Sequence, residues 1–177
     1  LEALLDHPLG DNQRALAALS AKDGGLAFGN LAGRSAPAFL GSWAVNLQPV
    51  AEMLGVASVE GFRARCPRIS EELDKADAEL RRAGGNNGLH TNWLHFLNEG
   101  APKLQGIWST QISKRRSKEL LRSLTEENAA DARSHGGPGA STFLLPTVQE
   151  VRPMPDKHFL VALRDRLLLP VCRDGDR

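Results

Sequence analysis

The sequence predicts a mostly α-helical protein, an irregular bundle of helices joined by Gly- and Pro-rich loops. Aromatic residues make up 5% of the 177 residues and tyrosine is absent, whereas β-sheets favour aromatic and β-branched residues. Apolar residues recur at helical spacing through most of the chain, and no alternation of strands and helices is visible. Clusters of glycine and proline separate the helical segments, most clearly GGNNG at residues 84–88.

The bulk composition is typical of a soluble protein without membrane spans. Apolar residues are 41% and charged residues 24% of the chain, and no apolar run approaches the roughly 20 residues that a membrane span needs. The chain starts at Leu1 without a basic and apolar leader, which suggests a fragment or a processed chain rather than a secretory precursor. Two distant cysteines, Cys66 and Cys172, form neither a disulfide framework nor a zinc cluster, so we expect an intracellular protein.

Capping residues predict where the helices of the first half begin. Asp11 is expected to cap one helix and Ser35 to cap a longer one, with Pro37 in its first turn, where a missing N–H costs nothing. Ser58 and Ser70 are expected to cap two further helices, the second of which is the polar segment ELDKADAELRRAG.

The second half predicts four more helices. After a short helix capped by Thr91, the longest helix is expected over 102–124, PKLQGIWSTQISKRRSKELLRSL. Thr125 is expected to open a short helix, and Asp156 to cap the last one, KHFLVALRDRLLL, which Pro170 ends.

These elements suggest four segments along the chain. We expect an N-terminal helical segment with a Gly-rich turn over 1–34, a helical connector domain over 35–134, a linker over 135–155 and a C-terminal helix within 156–177.

The glycine-rich stretch DGGLAFGNLAG, residues 23–33, raises the question of a phosphate-binding loop. Gly24 and Gly29 have the spacing of the two glycines of a Walker loop, but Asn30 and Leu31 stand where that loop needs a lysine and a hydroxyl. No strand precedes the stretch, and the dinucleotide pattern GxGxxG is absent. Glycines that allow a positive φ between packed elements are the favoured interpretation.

Acidic and nucleophilic residues do not form a recognisable catalytic pattern. Two-metal catalysis needs clustered carboxylates, but the acidic pairs at 71–72 and 126–127 lie in first helical turns, where they suit the helix dipole. No G-x-S-x-G elbow is present. We therefore predict no catalytic residue and no cofactor.

The histidines give only weak evidence for a metal site. His90 and His95 are five residues apart and not the i, i+4 pair of a zinc helix. Glu99 and Cys66 could join them only through tertiary structure. We predict no metal site, and an enzyme built around these residues remains the least favoured alternative.

Basic residues are concentrated in the longest predicted helix. Between 103 and 122, six basic residues stand against Glu119 alone, a local charge of +5 in a chain of net charge +1. Such a helix face attracts phosphate backbones through counterion release, and Trp108 could stack on a base. A solvated face with an ordinary core tryptophan is the alternative. The predicted nucleic-acid-binding residues are Lys103, Lys114, Arg115, Arg116, Lys118 and Arg122.

Three segments, in order, resemble non-LTR retrotransposon reverse transcriptase-like open reading frames. The first is GGLAF at 24–28 followed by RSAPAFLGSW at 34–43, similar to the family's GGLGL and RSA patterns. The second is GGPGA at 136–140 leading to FLLP at 143–146. The third is MPDKHF at 154–159 with ALR and RL, similar to the family's MPDxHFxxALRxRLxLP segment. The resemblance spans about residues 24–172.

The resemblance implies a segment downstream of the palm and thumb of a polymerase, without its catalytic core. The family's palm carboxylates would lie before Leu1, and Cys172 would be the first member of a zinc-knuckle-like region. Ala27 and Phe28 depart from the usual Gly-Leu, and Leu19-Ser20 stand where Leu-Pro is common. No catalytic residue of the family can be transferred.

The expected function is that of a non-catalytic helical connector that contacts the phosphate backbone of RNA or DNA and the rest of its parent polyprotein. For a protein with this function we expect an intracellular location, with the nucleus as one such location. The first alternative is a helical interaction or scaffold module that exposes Trp43, Trp93 or Trp108 and binds a partner helix. The second is a functionless fragment of a decayed element.

Overall fold

The fold is mostly α-helical, as the sequence predicts. A computed structural model of the chain describes residues 1–28, 32–84, 92–100, 103–136 and 156–171. No strand occurs in these ranges, and no helix in them combines the length and hydrophobicity that a membrane crossing requires. A 3-10 turn covers Ala21–Asp23, and the α-helices are α1 (Glu2–Leu5), α2 (Asp11–Ala18), α3 (Ala32–Met53), α4 (Val59–Arg65), α5 (Pro67–Arg82), α6 (Trp93–Asn98), α7 (Leu104–Ser123), α8 (Glu126–Ser134) and α9 (Asp156–Arg166).

The chain divides into two compact units. One consists of residues 30–115, and the other combines residues 1–29 with 116–177. These boundaries differ from the predicted ones at 34/35 and 134/135. The second boundary falls inside the continuous helix α7, where the sequence contains no glycine, proline or change of polarity that would mark it. Apart from its first two residues, the predicted linker over 135–155 lies outside the described residues.

Residues 30–115 pack around α3. The helices α3, α4, α5, α6 and α7 all supply buried apolar side chains to one cluster, whose larger members are Leu40, Leu47, Phe62, Leu73, Leu80, Phe96, Leu97, Trp108 and Ile112. The backbones of α3 and α7 come close at Gly41, where an added Cβ would lie 2.6 Å from Cβ of Gln105. A small residue at this crossing lets α7 lie against α3.

Residues 1–29 and 116–177 pack around a second, separate cluster. Its buried members come from α1, α2, the end of α7, α8 and α9, together with the glycine-rich turn, and include Leu5, Leu16, Leu19, Leu26, Leu120, Ala132, Leu163 and Leu167. Two leucines of the predicted last helix are therefore in the core, with Leu163 and Leu167 at 1% and 0% exposure.

Two of the helix starts predicted for the first half of the chain are wrong. The helix expected to begin behind Ser35 begins at Ala32, so Pro37 lies inside α3. Pro37 is fully buried and Ala36 is 7% exposed. Burial of this apolar face offsets the hydrogen bond that a proline inside a helix loses.

The helix expected to begin behind Ser70 begins at Pro67, with Cys66 as its N-cap. Ser70 Oγ donates to the Cys66 carbonyl at 3.0 Å instead of capping. Pro67 is the start signal, because proline suits the first helical position.

Smaller differences occur at three other helix ends. Asp11 is the first residue of α2, and Gly10 is the N-cap. Asp156 is likewise the first residue of α9, which ends at Arg166 and does not reach Pro170. Leu168 takes a positive φ of 56°, which a right-handed helix does not allow.

At α6, Thr91 lies outside the described residues, and Asn92 is the N-cap. Its side chain accepts a hydrogen bond from the backbone N–H of His95. An asparagine in this position satisfies one of the donors that every helix start leaves unpaired.

Two predicted N-caps are confirmed. Ser58 Oγ accepts from the backbone N–H of Gly61 at 3.0 Å, and Thr125 Oγ1 accepts from that of Asn128 at 3.3 Å. Each hydroxyl satisfies one of the backbone donors that a helix start leaves without an intrahelical partner.

The Ser58 cap gives a stability prediction. We expect Ser58→Ala to lower the free energy of unfolding by about 1 kcal/mol, because the Gly61 N–H loses its acceptor. Urea unfolding followed by tryptophan fluorescence measures this, since all three tryptophans lie within residues 30–115. Ser42→Ala is the control, an exposed serine inside α3 where alanine is a good helix former. An equal loss in both variants would contradict the capping role.

Candidate nucleic-acid interface

The basic residues singled out in the sequence lie on α7 or directly before it. Lys103 precedes the first helical residue and has a φ of 75°. Its side chain and those of Lys114, Arg115, Arg116, Lys118 and Arg122 are all exposed. The helix itself carries the other five basic residues, all between Lys114 and Arg122. Lys103 stands apart from them, 11 residues before Lys114.

Three of these residues form a stripe along one face of α7. Lys114, Lys118 and Arg122 are spaced by four residues, which places them one above another. Successive members are about 6 Å apart along the axis, at a rise of about 1.5 Å per residue. Among the described residues none of the three forms an ion pair. We call these three residues the basic stripe.

The other two arginines of α7 differ in their position. Arg115 lies three residues before Lys118 and so flanks the basic stripe. Arg116 lies about 200° around the helix from Lys114, on another face. The helix therefore places Lys114, Lys118 and Arg122 in one stripe with Arg115 at its edge, and it separates Arg116 from them.

Helix stability alone does not explain the basic stripe. Arg122 lies in the last turn of α7, where a cation suits the helix dipole. Lys114 and Lys118 lie in the interior, where like charges at i, i+4 cost a helix about 0.2–0.5 kcal/mol per pair. A stripe that costs stability and stays exposed is suited to a negatively charged partner.

Trp108 does not take the role that its position beside the basic cluster suggests. Its side chain is 0% exposed and belongs to the core cluster of residues 30–115. The expectation that it could stack on a base is wrong, because no face of the indole reaches the surface. Its Nε1 is buried without a hydrogen-bond partner among the described residues.

The glycine-rich turn presents backbone carbonyl oxygens, whereas a phosphate-binding loop presents backbone N–H groups. Its backbone carbonyls converge on the guanidinium of Arg166: Nε lies 3.0 Å from the Gly24 oxygen and 2.8 Å from the Gly25 oxygen. Nη2 lies 2.7 Å from the Ala21 oxygen and 2.9 Å from that of His135. A phosphate loop points N–H groups at its ligand, whereas this turn points oxygens at a cation.

The two glycines themselves serve close packing. Gly24 has a φ of 87°, and an added Cβ would lie 2.6 Å from the Ala132 carbonyl oxygen. At Gly25 an added Cβ would overlap the Leu19 carbonyl oxygen. The favoured interpretation of the turn, glycines required by packing and a positive φ, fits this geometry.

Arg166 is the residue that sequence reasoning missed. It is the last residue of α9 and 2% exposed, with the buried Leu163 three residues before it and the buried Leu167 directly after it. Burial lowers the pKa of its guanidinium, which nevertheless stays protonated, as arginine does in proteins. An arginine between two inward leucines of an amphipathic helix is the only sequence signal for this role.

The weak metal site is not assembled within the part of the chain that the structure describes. No group of three metal-ligating side chains occurs there, and His90 lies outside it. His95 is exposed with its Nδ1 at 3.6 Å from Glu99 Oε2. Cys66 packs against the core cluster of residues 30–115.

A small apolar cleft lies beside the core of residues 30–115. Leu47, Phe62, Leu73, Trp93 and Leu97 supply its apolar lining. Trp93 is half-buried and stacks edge-on against Phe96 with ring centroids 5.5 Å apart, while Leu94 beside it is 58% exposed. Trp43 is also half-buried and meets Phe62 edge-on at 5.7 Å.

Comparison of the chain with protein-family models, with curated proteins and with solved structures finds no match. The function is therefore inferred from the residues of this chain and from the sequence resemblance described above.

Proposed function

We propose that this chain is a non-catalytic helical connector of a retroelement reverse transcriptase-like protein, and that it contacts the phosphate backbone of RNA or DNA through α7. The observation that carries the proposal is the basic stripe of Lys114, Lys118 and Arg122, exposed on one helix face and without an ion pair among the described residues. The three ordered sequence segments support the retroelement origin.

The binding would be electrostatic and independent of sequence. Lysine and arginine side chains that neutralise phosphates release condensed counterions, so the affinity falls steeply as salt rises. Three phosphate contacts predict a slope of log K against log salt of about −2 on a single strand and about −3 on a duplex. With Trp108 in the core, α7 offers charge and no stacking platform, and contacts to phosphates carry no direct base readout.

The direct test is binding of a labelled single-stranded RNA and of a duplex DNA to the full chain across a salt series. A slope near the values above supports the proposal. Flat or absent binding, from a chain that unfolds cooperatively, contradicts it.

Charge reversal tests the basic stripe itself. We expect the variant K114E/K118E/R122E to lose at least about 100-fold in affinity at low salt and most of the salt slope, because three cations that release counterions become three anions. Exposed residues are changed, so the helical circular dichroism should stay unchanged. The measurement is the same salt series.

The matched control is K22E/R65E/K157E, which changes two exposed lysines and one exposed arginine on other elements. Both variants lower the net charge by six. If the control loses as much affinity as the stripe variant, net charge and not α7 determines binding, and the proposed site is wrong.

A helical protein-interaction module is the second candidate. The half-buried Trp93 and the 58% exposed Leu94 beside it support this candidate, since aromatic and large apolar side chains at a surface are typical of protein-binding sites. It predicts binding of a partner helix that is insensitive to salt and is weakened by Leu94→Lys. The stripe variant would leave such binding unchanged.

A further inference from the structure

The end of α5 meets the basic helix α7 at a glycine. Gly84 follows Ala83, the C-cap of α5, and has a φ of 78°. A Cβ added there would overlap Cδ and Nη1 of Arg115 and lie 3.1 Å from Cζ. The Arg115 side chain therefore lies against the backbone at Gly84, and the missing side chain of the glycine makes room for it.

The last turn of α5 ends in two arginines with different surroundings. Arg81 Nη2 lies 2.7 Å from Asp77 Oδ2, so its charge is already matched. Arg82 is exposed and forms no ion pair among the described residues, including with Glu79 one turn earlier. Of the pair, Arg82 is the one whose charge is available to a ligand.

The chain places Arg82 close to the point where the Arg115 side chain lies against Gly84. Only Ala83 stands between Arg82 and Gly84, which limits the distance between the Cα atoms of these two residues to about 7 Å. The long side chain of Arg82 can cover that distance, and a phosphate accepts hydrogen bonds from two guanidinium groups at once.

We infer that Arg82 and Arg115 together bind a phosphate group of the nucleic-acid backbone, with Gly84 as the positioning residue that seats Arg115. This inference rests on the proposed function, because it extends the same backbone contact from α7 to the end of α5. It assigns a binding role to Arg82. The sequence pattern alone indicates only that Arg82 lies in the last turn of a helix. It also assigns Arg115 to this contact and leaves the basic stripe as a separate one.

The test compares Arg82→Gln with Arg68→Gln in the full chain. Both are exposed arginines on α5, and they stand about 21 Å apart along the helix at about 1.5 Å per residue. With a labelled duplex DNA and a single-stranded RNA as probes, we expect Arg82→Gln to reduce the salt slope by about 1 and the low-salt affinity about three- to tenfold. Arg68→Gln should change neither, and Arg82→Lys should keep the slope because it keeps the charge.

The outcomes separate this inference from the proposed function. If Arg82→Gln behaves like Arg68→Gln while K114E/K118E/R122E loses binding, the role of Arg82 is wrong and the basic stripe stands. If the unchanged chain shows no salt-dependent binding, the proposed function fails and this inference fails with it. If Arg82→Lys loses as much as Arg82→Gln although both melt like the unchanged chain, charge is not what Arg82 contributes, and the phosphate contact is overturned.

Discussion

Replacing Arg166 by methionine is expected to lower the free energy of unfolding of the unit formed by residues 1–29 and 116–177 by about 3–5 kcal/mol. The guanidinium donates to the carbonyls of Ala21, Gly24, Gly25 and His135, and the residue is 2% exposed. Methionine fills a similar volume but donates nothing. The bonds to the Gly24 and Gly25 carbonyls are buried, whereas those to Ala21 and His135 are partly exposed to water. Each buried acceptor that loses its donor costs about 1–3 kcal/mol.

Two spectroscopic signals follow the Arg166→Met variant. Far-ultraviolet circular dichroism reports all helices, whereas tryptophan fluorescence reports residues 30–115 only, because Trp43, Trp93 and Trp108 all lie there. We expect the circular dichroism transition in urea to begin at a clearly lower concentration than in the unchanged chain. A separate fluorescence transition would show directly that the two units unfold independently.

Arg133→Met is the matched control for Arg166. It removes an arginine of equal size from the exposed surface of α8 in the same unit, where substitutions usually change stability by less than about 0.5 kcal/mol. Arg166→Lys gives a further comparison, since lysine keeps the charge but lacks the planar fork that reaches several carbonyls. If Arg166→Met unfolds like Arg133→Met, the glycine-rich turn does not depend on the guanidinium.

Replacing Trp108 by alanine is expected to lower the free energy of unfolding of residues 30–115 by about 3–5 kcal/mol, because a fully buried aromatic side chain leaves a cavity. Trp108 holds α7 in the core cluster that also contains Leu40 of α3 and Phe96 of α6. Ile107→Ala is the control. Ile107 precedes Trp108 on the same helix but is 41% exposed, so its truncation leaves no buried cavity. Urea unfolding followed by the fluorescence of Trp43 and Trp93 measures both variants.

The variant Trp108→Phe separates a core role from a stacking role. Phenylalanine keeps an apolar ring in the core, and the indole Nε1 that is lost has no hydrogen-bond partner among the described residues. We expect nucleic-acid affinity to stay within about twofold of the unchanged chain once the variant is folded, because electrostatic contacts carry the binding. A large loss of affinity from a well-folded Trp108→Phe variant would contradict the burial of this side chain.

The sequence by itself determined the fold class and most of the helices. Helical spacing of apolar residues and the scarcity of aromatic residues predict a mostly α-helical chain, which is confirmed. Local capping chemistry is equally direct at Ser58 and Thr125, because a cap depends on residues only three positions apart. The basic residues of α7 are also exposed as predicted, since long charged side chains are rarely buried.

Only the tertiary structure decided which of those residues share a surface and which do not. The start of α3 at Ala32 depends on burial of Ala36 and Pro37, which outweighs the local signal of Ser35. Trp108 has the same sequence neighbourhood whether it faces a base or the core, and the core cluster that it shares with residues of α3 and α6 settles its position. Arg166 and the glycine-rich turn are about 140 residues apart in sequence, and no local pattern encodes a contact between groups so distant in the chain.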